Sequence, residues 1–253
     1  MHPLPLPRRL LAEFAGTALL VTTVIGSGIM AVRLSPGDVG LQLLENSTAT
    51  ALALGALILT FGPVSGAHFN PVVSIADWWL GRRYGTGLSA SDLGSYVIAQ
   101  VCGAIGGAVL ANLMFALAPV TFSTTTRSAG HLWLGEVVAT AGLLMLIFAL
   151  VRSGRSSVAP AAVGAYIGAA YWFTSSTSFA NPAVTVGRAF SDTLAGIAPG
   201  SVPGYVVAQF AGLLVGVGLV AVLYPDAGRG ADTVVVVHED FKAADAGRVT
   251  HHA

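Results

Sequence analysis

The sequence is short of charge. Only 9% of its 253 residues are Asp, Glu, Lys or Arg, whereas 54% are hydrophobic and the mean hydropathy is +0.75. A soluble domain normally carries about 25% charged residues, so this composition excludes an ordinary soluble globular protein and favours a membrane protein. The formal net charge is zero. Because there is no basic surplus, we expect no nucleic-acid partner.

The sequence also has only one cysteine and no recognisable group of catalytic residues. The single cysteine, Cys102, cannot form an intramolecular disulfide, and we expect it to be a buried, unreactive thiol. We find no zinc-ligand spacing, no phosphate-binding loop and no nucleophile with a base, and therefore expect no enzyme, no cofactor and no metal site. The tail holds His238, His251 and His252 without a fixed spacing, which leaves a metal site there as a weak alternative.

Long apolar runs dominate the rest of the chain. Six runs have roughly the 20 residues that a membrane-spanning helix needs, and they begin near Arg9, Gln42, Tyr96, His131, Pro160 and Val202. Most arginines between these spans fall on the side that also receives the tail, so that side should be cytoplasmic. We therefore expect residues 1–8 to form a cytoplasmic N-terminus and residues 225–253 a cytoplasmic tail, which its polar composition predicts to be disordered.

Two short motifs interrupt the apolar sequence. Asn70-Pro71-Val72 returns later as Asn181-Pro182-Ala183, each time between hydrophobic runs. Asn is a good helix N-cap and Pro suits the first helical position, so each motif predicts the start of a short helix. Irregular backbone at membrane depth persists only where protein surrounds it or where it lines a water-filled path. The motifs therefore indicate a pore.

The chain also repeats itself. Residues 13–20 (EFAGTALL) resemble residues 136–143 (EVVATAGL), and residues 96–100 (YVIAQ) resemble residues 205–209 (YVVAQ). With three spans in each half, the halves must enter the membrane from opposite sides, which predicts an inverted repeat. Residues 9–120 form the first half with the re-entrant Asn70 motif, and residues 121–224 form the second with the re-entrant Asn181 motif.

These motifs resemble the signatures of the major intrinsic protein family, the aquaporins and glycerol facilitators. The segments that carry the resemblance are residues 65–72 (SGAHFNPV) and residues 181–183 (NPA). The resemblance implies an all-α membrane protein with six transmembrane helices and two re-entrant half-helices, which assembles as a homotetramer with one pore per protomer. It also implies that the amides of Asn70 and Asn181 face passing solutes.

The same resemblance implies roles for three further residues. Glu13 and Glu136 would hold the backbone of the half-helix loops, because a carboxylate at membrane depth needs hydrogen bonds. A transported-proton site and a solvated helix end are the alternatives for these two residues. His68 would line the cytoplasmic mouth of the pore, with a packed structural histidine as the alternative.

The sequence departs from the family at the outer constriction. An Arg commonly follows the second motif in this family, but Val184 stands there, so we expect the narrow, cationic constriction to be missing. Spacing from the two motif asparagines assigns the other constriction positions to Thr50, Ala169 and Ser178, which are all small. Arg188 lies one helical turn beyond Val184 and either faces the pore or serves a loop or an interface.

The sequence therefore predicts a passive channel in a cell membrane, the bacterial inner membrane, whose partners are membrane lipids, water and small neutral solutes. Resemblance of residues 181–193 to members found in arsenic-resistance operons adds arsenous acid and related uncharged metalloids to glycerol-like polyols and urea. The competing interpretation is an ion-coupled secondary transporter that uses Glu13 and Glu136, since broken helices and inverted repeats occur there too. An adhesion or junction protein built on a closed channel is a third.

Overall fold

The structure, a computed structural model, describes residues 4–229. This part of the chain forms eight α-helices joined by loops and short 3-10 turns, and it contains no strand. The helices are α1 (Leu6–Leu34), α2 (Val39–Ser65), α3 (Pro71–Gly81), α4 (Ala90–Met114), α5 (Gly130–Arg152), α6 (Ala159–Phe173), α7 (Pro182–Arg188) and α8 (Val202–Leu223). Most of the tail, with His238, His251 and His252, lies outside the described residues, and so do the predictions of disorder and of the weak metal alternative.

Five helices are long and apolar enough to cross a bilayer, namely α1, α2, α4, α5 and α8. The sixth expected span is α6, which has 15 residues. At 1.5 Å per residue it is about 22 Å long, which is shorter than the roughly 30 Å hydrocarbon core. The half-helices α3 and α7 have 11 and 7 residues, and each begins at the proline of its Asn-Pro motif.

Two spanning helices begin earlier than their apolar runs. The helix α1 starts at Leu6, inside the segment expected to be the cytoplasmic N-terminus. The helix α4 starts at Ala90 because the Ser89 side chain caps it and accepts a hydrogen bond from the Asp92 amide. The first turns of α4 are polar. The apolar run that begins near Tyr96 therefore starts several residues after the helix itself.

The two halves of the chain pack in the same way. In the first half α1 contacts α2 and α4, and in the second half α5 contacts α6 and α8. The halves join where α2 contacts α6 and at the half-helices, because α3 contacts α8 and α7 contacts α4 and α1. This arrangement places the starts of α3 and α7 next to each other at the centre of the molecule.

Glycines allow the long helices of each half to cross closely. A Cβ atom added at Gly103 or Gly107 of α4 would overlap the backbone carbonyls of Phe14 or Ala18 on α1. The corresponding glycines of α8, Gly212 and Gly216, also lie against α5, though less tightly: an added Cβ atom would come within 2.7 and 3.0 Å of the nearest atom of α5. Small residues at such crossings let the backbones approach each other, which is a common way of packing helices in membranes.

The outer surface of the bundle is apolar. Large side chains such as Leu52, Ile98, Val207 and Val222 are 66–78% exposed, as expected of a surface that meets lipid or a neighbouring subunit. Cys102 is also exposed, so the expectation of a buried thiol is wrong. Gly103 and Gly107 lie on the face of α4 that contacts α1. Cys102 lies next to that face and is therefore not covered by α1.

Candidate pore and its constriction

Each half-helix is capped by its motif asparagine. The Oδ1 atom of Asn70 accepts a hydrogen bond from the Val72 amide at 3.1 Å, and that of Asn181 accepts from the amides of Ala183 and Val184 at 3.0 and 3.2 Å. Pro71 and Pro182 occupy the first helical position, where an N–H would have no intrahelical partner. The cap and the proline together start both helices at the predicted residue.

The same two side chains connect the halves of the molecule. The Nδ2 atom of Asn70 donates to the carbonyl of Ala180 at 2.8 Å, and Nδ2 of Asn181 donates to the carbonyl of Phe69 at 2.7 Å. An amide NH₂ group has two N–H donors, so each asparagine retains a second N–H beside the cavity that both side chains line. The amides therefore both fasten the opposite loop and offer a donor to the cavity.

The loops before the two half-helices share an unusual backbone. Ala67 and Phe69 have φ angles of 50° and 49°, and their counterparts Ser178 and Ala180 both have 47°. The left-handed region costs a residue with a Cβ atom about 1–2 kcal/mol. The conformation turns consecutive backbone N–H groups away from the helices, so it needs external acceptors.

Glu13 and Glu136 supply those acceptors, as the family resemblance implies. The carboxylate of Glu13 accepts from the amides of His68 and Phe69 at 3.0 and 2.7 Å. The carboxylate of Glu136 accepts from the amides of Phe179 and Ala180, both at 2.8 Å. Both glutamates are fully buried. A buried charge is tolerable at membrane depth when such bonds satisfy it.

Two glutamines complete the support. Gln100 Nε2 donates to Glu13 at 2.8 Å and to Ser74 Oγ at 3.0 Å, and Gln209 Nε2 donates to Glu136 at 2.6 Å and to Thr185 Oγ1 at 2.8 Å. Each glutamine thus connects a glutamate to a residue in the first turns of a half-helix. The sequence signal for this role was present, since both glutamines end the repeated YVxAQ segment.

A narrow cavity passes both motifs. It has room of about 60 Å³ for the centres of water-sized molecules, so it can hold water. The polar side chains of its lining include Asn70, Asn181 and His68, whose Nδ1 lies 3.1 Å from Ser74 Oγ. The aliphatic side chains of the lining are Leu20, Val24, Leu54, Ile58, Leu143, Ile147, Val163 and Ile167.

Three of the four residues assigned to the constriction line this cavity, namely Thr50, Ser178 and Val184. The assignment of Ala169 is wrong, because its side chain is exposed on the outside of α6. Val163, Ile167 and Tyr171 follow one another at four-residue spacing and face the cavity, and Ala169 is two positions from the last two, on the opposite side of the helix. Tyr171 takes its place, with its hydroxyl 3.3 Å from Thr50 Oγ1.

Arg188 also lines the cavity, together with Val184. It is the last residue of α7 and only 2% exposed. Its Nε atom donates to the carbonyl of Ala195, and its guanidinium carbon lies 3.4 Å above the centre of the Phe179 ring. The sequence left the pore and a loop or interface open as positions for this side chain. In the structure Arg188 lines the cavity and also contacts the loop residue Ala195.

A family model described as "Major intrinsic protein" matches residues 2–180. The chain belongs to the major intrinsic protein family. Aquaglyceroporin AqpS of Rhizobium meliloti is 50% identical over 212 residues, which cover 84% of this chain and 88% of that protein. The glycerol uptake facilitator protein of Pseudomonas aeruginosa is 34% identical over 221 residues, which cover 75% of each chain.

The fold likeness agrees with the family. The X-ray structure of the aquaglyceroporin from Plasmodium falciparum superposes with a TM-score of 0.63 at 20% identity and covers 88% of this chain and 99% of that one. This chain therefore has the aquaporin-like fold of an all-α membrane protein with two half-helices. Within that fold the sequence did not reveal the pore-facing Tyr171 and Phe179, since neither belongs to a motif or a repeat.

Proposed function

We propose that this member of the major intrinsic protein family is a passive channel for water and small neutral solutes such as glycerol. The observation that carries this proposal is the meeting of two half-helix starts beside one cavity, fastened by the reciprocal bonds from Asn70 to Ala180 and from Asn181 to Phe69. A helix N-terminus carries partial positive charge. Two of them at one level repel cations, while the spare asparagine N–H groups can orient a neutral oxygen-bearing solute.

The state of the two glutamates argues against ion-coupled transport. A coupled carrier needs a titratable or ion-binding group whose exposure changes. Glu13 accepts hydrogen bonds from four donors and Glu136 from three, and neither side chain is exposed. Both carboxylates are therefore committed to the loops, and no observation favours the carrier.

We extend the proposal to a wider range of solutes than glycerol. At the level where many relatives place an Arg, the cavity is lined by the small or apolar side chains of Thr50, Ser178 and Val184, together with the bulkier Tyr171 and Arg188. Urea and arsenous acid are small and uncharged, and a lining of mixed aliphatic and polar side chains suits molecules with few hydroxyl groups. These solutes should pass together with water and glycerol.

The setting of the channel follows from the same features. The protein is a multi-pass membrane protein, and we propose that both termini are cytoplasmic, that it resides in the bacterial inner membrane among lipids, and that it forms a homotetramer. We infer no enzymatic activity, because its polar groups are engaged in holding loops and lining a path.

Stopped-flow light scattering on proteoliposomes tests the proposal. The parent channel should speed the osmotic response to water, glycerol, urea and arsenous acid above that of empty vesicles. Asn181→Leu should abolish this flux, because it removes the Phe69 contact and fills the cavity. Val222→Leu, on the exposed outer face of α8, is the matched control and should conduct like the parent. Flux in the parent equal to that of empty vesicles would contradict the proposal.

A further inference from the structure

Arg188 is a buried cation that forms no ion pair with a carboxylate among the described residues. The two ion pairs found among residues 4–229 are Arg9–Asp92 and Arg229–Asp226. The carboxylate of Glu136 accepts its hydrogen bonds from Phe179, Ala180 and Gln209, and none from Arg188. The guanidinium therefore keeps its full charge beside the cavity.

The contacts of Arg188 use only part of its donor capacity. A guanidinium has five N–H donors. The Nε donor is taken by Ala195, one face of the group lies on the Phe179 ring, and the described residues offer no hydrogen bond to its terminal nitrogens. A charge at membrane depth is costly unless it faces a water-filled cavity, and Arg188 lines a cavity with room for water.

We propose that Arg188 supplies the fixed positive charge of the constriction from one helical turn further along α7 than the position where Val184 stands. The inference rests on the proposed channel function. The constriction then has two levels: a small apolar one at Val184, and beyond it a cationic one at Arg188. Cations are repelled at the second level, and neutral solutes can use the free N–H donors of Arg188 there.

A purely structural role makes a different prediction. If Arg188 only fastened the following loop through Ala195, the loss of its charge would affect folding and solute flux but not the exclusion of ions. Arg127 offers a matched comparison, because its guanidinium lies 5.4 Å from the same Phe179 ring and donates to the carbonyl of Gly196, yet it is absent from the cavity lining.

The experiment measures potassium and proton leak under an imposed potential, and glycerol flux in the same proteoliposomes. Arg188→Gln should raise the cation leak on the order of tenfold or more, as expected for the loss of a unit charge a few ångströms from the path. Arg188→Lys and Arg127→Gln should leave the leak at the level of the parent. An unchanged leak in Arg188→Gln that still conducts glycerol would overturn the inference.

Two further outcomes are decisive. If Arg188→Gln does not fold, the exchange variant Val184→Arg/Arg188→Val is measured instead, because it moves the guanidinium one turn along α7. This variant should exclude cations and conduct less glycerol than the parent. A cation leak through it would overturn the inference. If the parent itself conducts no glycerol, the proposed function fails. The inference about Arg188 fails separately, when the parent conducts glycerol and the Arg188→Gln variant does not leak cations.

Discussion

At the scale of single residues, two buried glutamates hold two loops in a backbone conformation that residues with a Cβ atom rarely adopt. Glu13→Gln replaces one acceptor oxygen by an NH₂ group that must face the amides of His68 and Phe69 or the donors of Ser65 and Gln100. We expect the free energy of unfolding to fall by about 2–4 kcal/mol, because buried donors lose a charged acceptor.

Thermal denaturation of the detergent-solubilised protein measures this change. Asp192→Asn is the matched control, since Asp192 also accepts a backbone hydrogen bond, from the Thr124 amide at 2.9 Å, but is exposed. It should cost less than about 1 kcal/mol. If Glu13→Gln melted like the parent, the carboxylate would not be what holds the loop.

Val184 lines the cavity, and we propose that it sets the width at the inner level of the constriction. Val184→Arg adds a long side chain and a second guanidinium one turn from Arg188. We expect glycerol flux to fall on the order of tenfold, which corresponds to about 1.4 kcal/mol of added barrier, and water flux to fall less. The ratio of glycerol to water flux in proteoliposomes checks this prediction.

Ala169→Leu is the control for the position that spacing alone places at the constriction. Because Ala169 lies on the outside of α6, this variant should keep the parent ratio. If Ala169→Leu changed the ratio of glycerol to water flux while Val184→Arg left it unchanged, the constriction would lie at Ala169, as spacing alone indicates.

At the scale of elements, both half-helices could be predicted because their starts are local. An Asn cap followed by Pro carries its own signal, and α3 and α7 begin at Pro71 and Pro182 as expected. Ala169 was misplaced because counting back from Asn181 crosses the loop after α6, whose length and shape no local pattern gives. The stacking of Arg188 on Phe179 was hidden for the same reason, since it depends on that loop returning over α7.

The crossing of α1 and α4 gives a prediction at this scale. Gly107→Ala places a Cβ atom against the Ala18 carbonyl, whereas Gly106→Ala meets only the Phe14 ring at 3.8 Å. We expect Gly107→Ala to destabilise the protein by about 1–3 kcal/mol, as overpacking does, and Gly106→Ala to be neutral or stabilising by up to about 1 kcal/mol. Melting temperatures in one detergent compare the two, and equal values would contradict the close crossing.

At the scale of the whole molecule, the two halves meet along the contact of α2 with α6 and at the two half-helices. The half-helix starts face each other through the asparagine bonds, and the glutamate and glutamine network stands behind each start. The duplication was legible in the sequence because the supporting residues recur in order. The asymmetry was only partly legible: Arg188 was a candidate for the pore and Tyr171 was not, and neither has an equivalent of the same type in the first half. We propose that this asymmetry forms the outer constriction.

Solutes cross this channel passively. The most direct test is the final glycerol concentration inside proteoliposomes that hold an imposed proton gradient and potential, compared with vesicles in which ionophores have removed both. We expect the inside concentration to rise quickly to equal the outside concentration in both preparations. Accumulation above the outside concentration that disappears with the ionophores would contradict passive transport and would favour a coupled carrier.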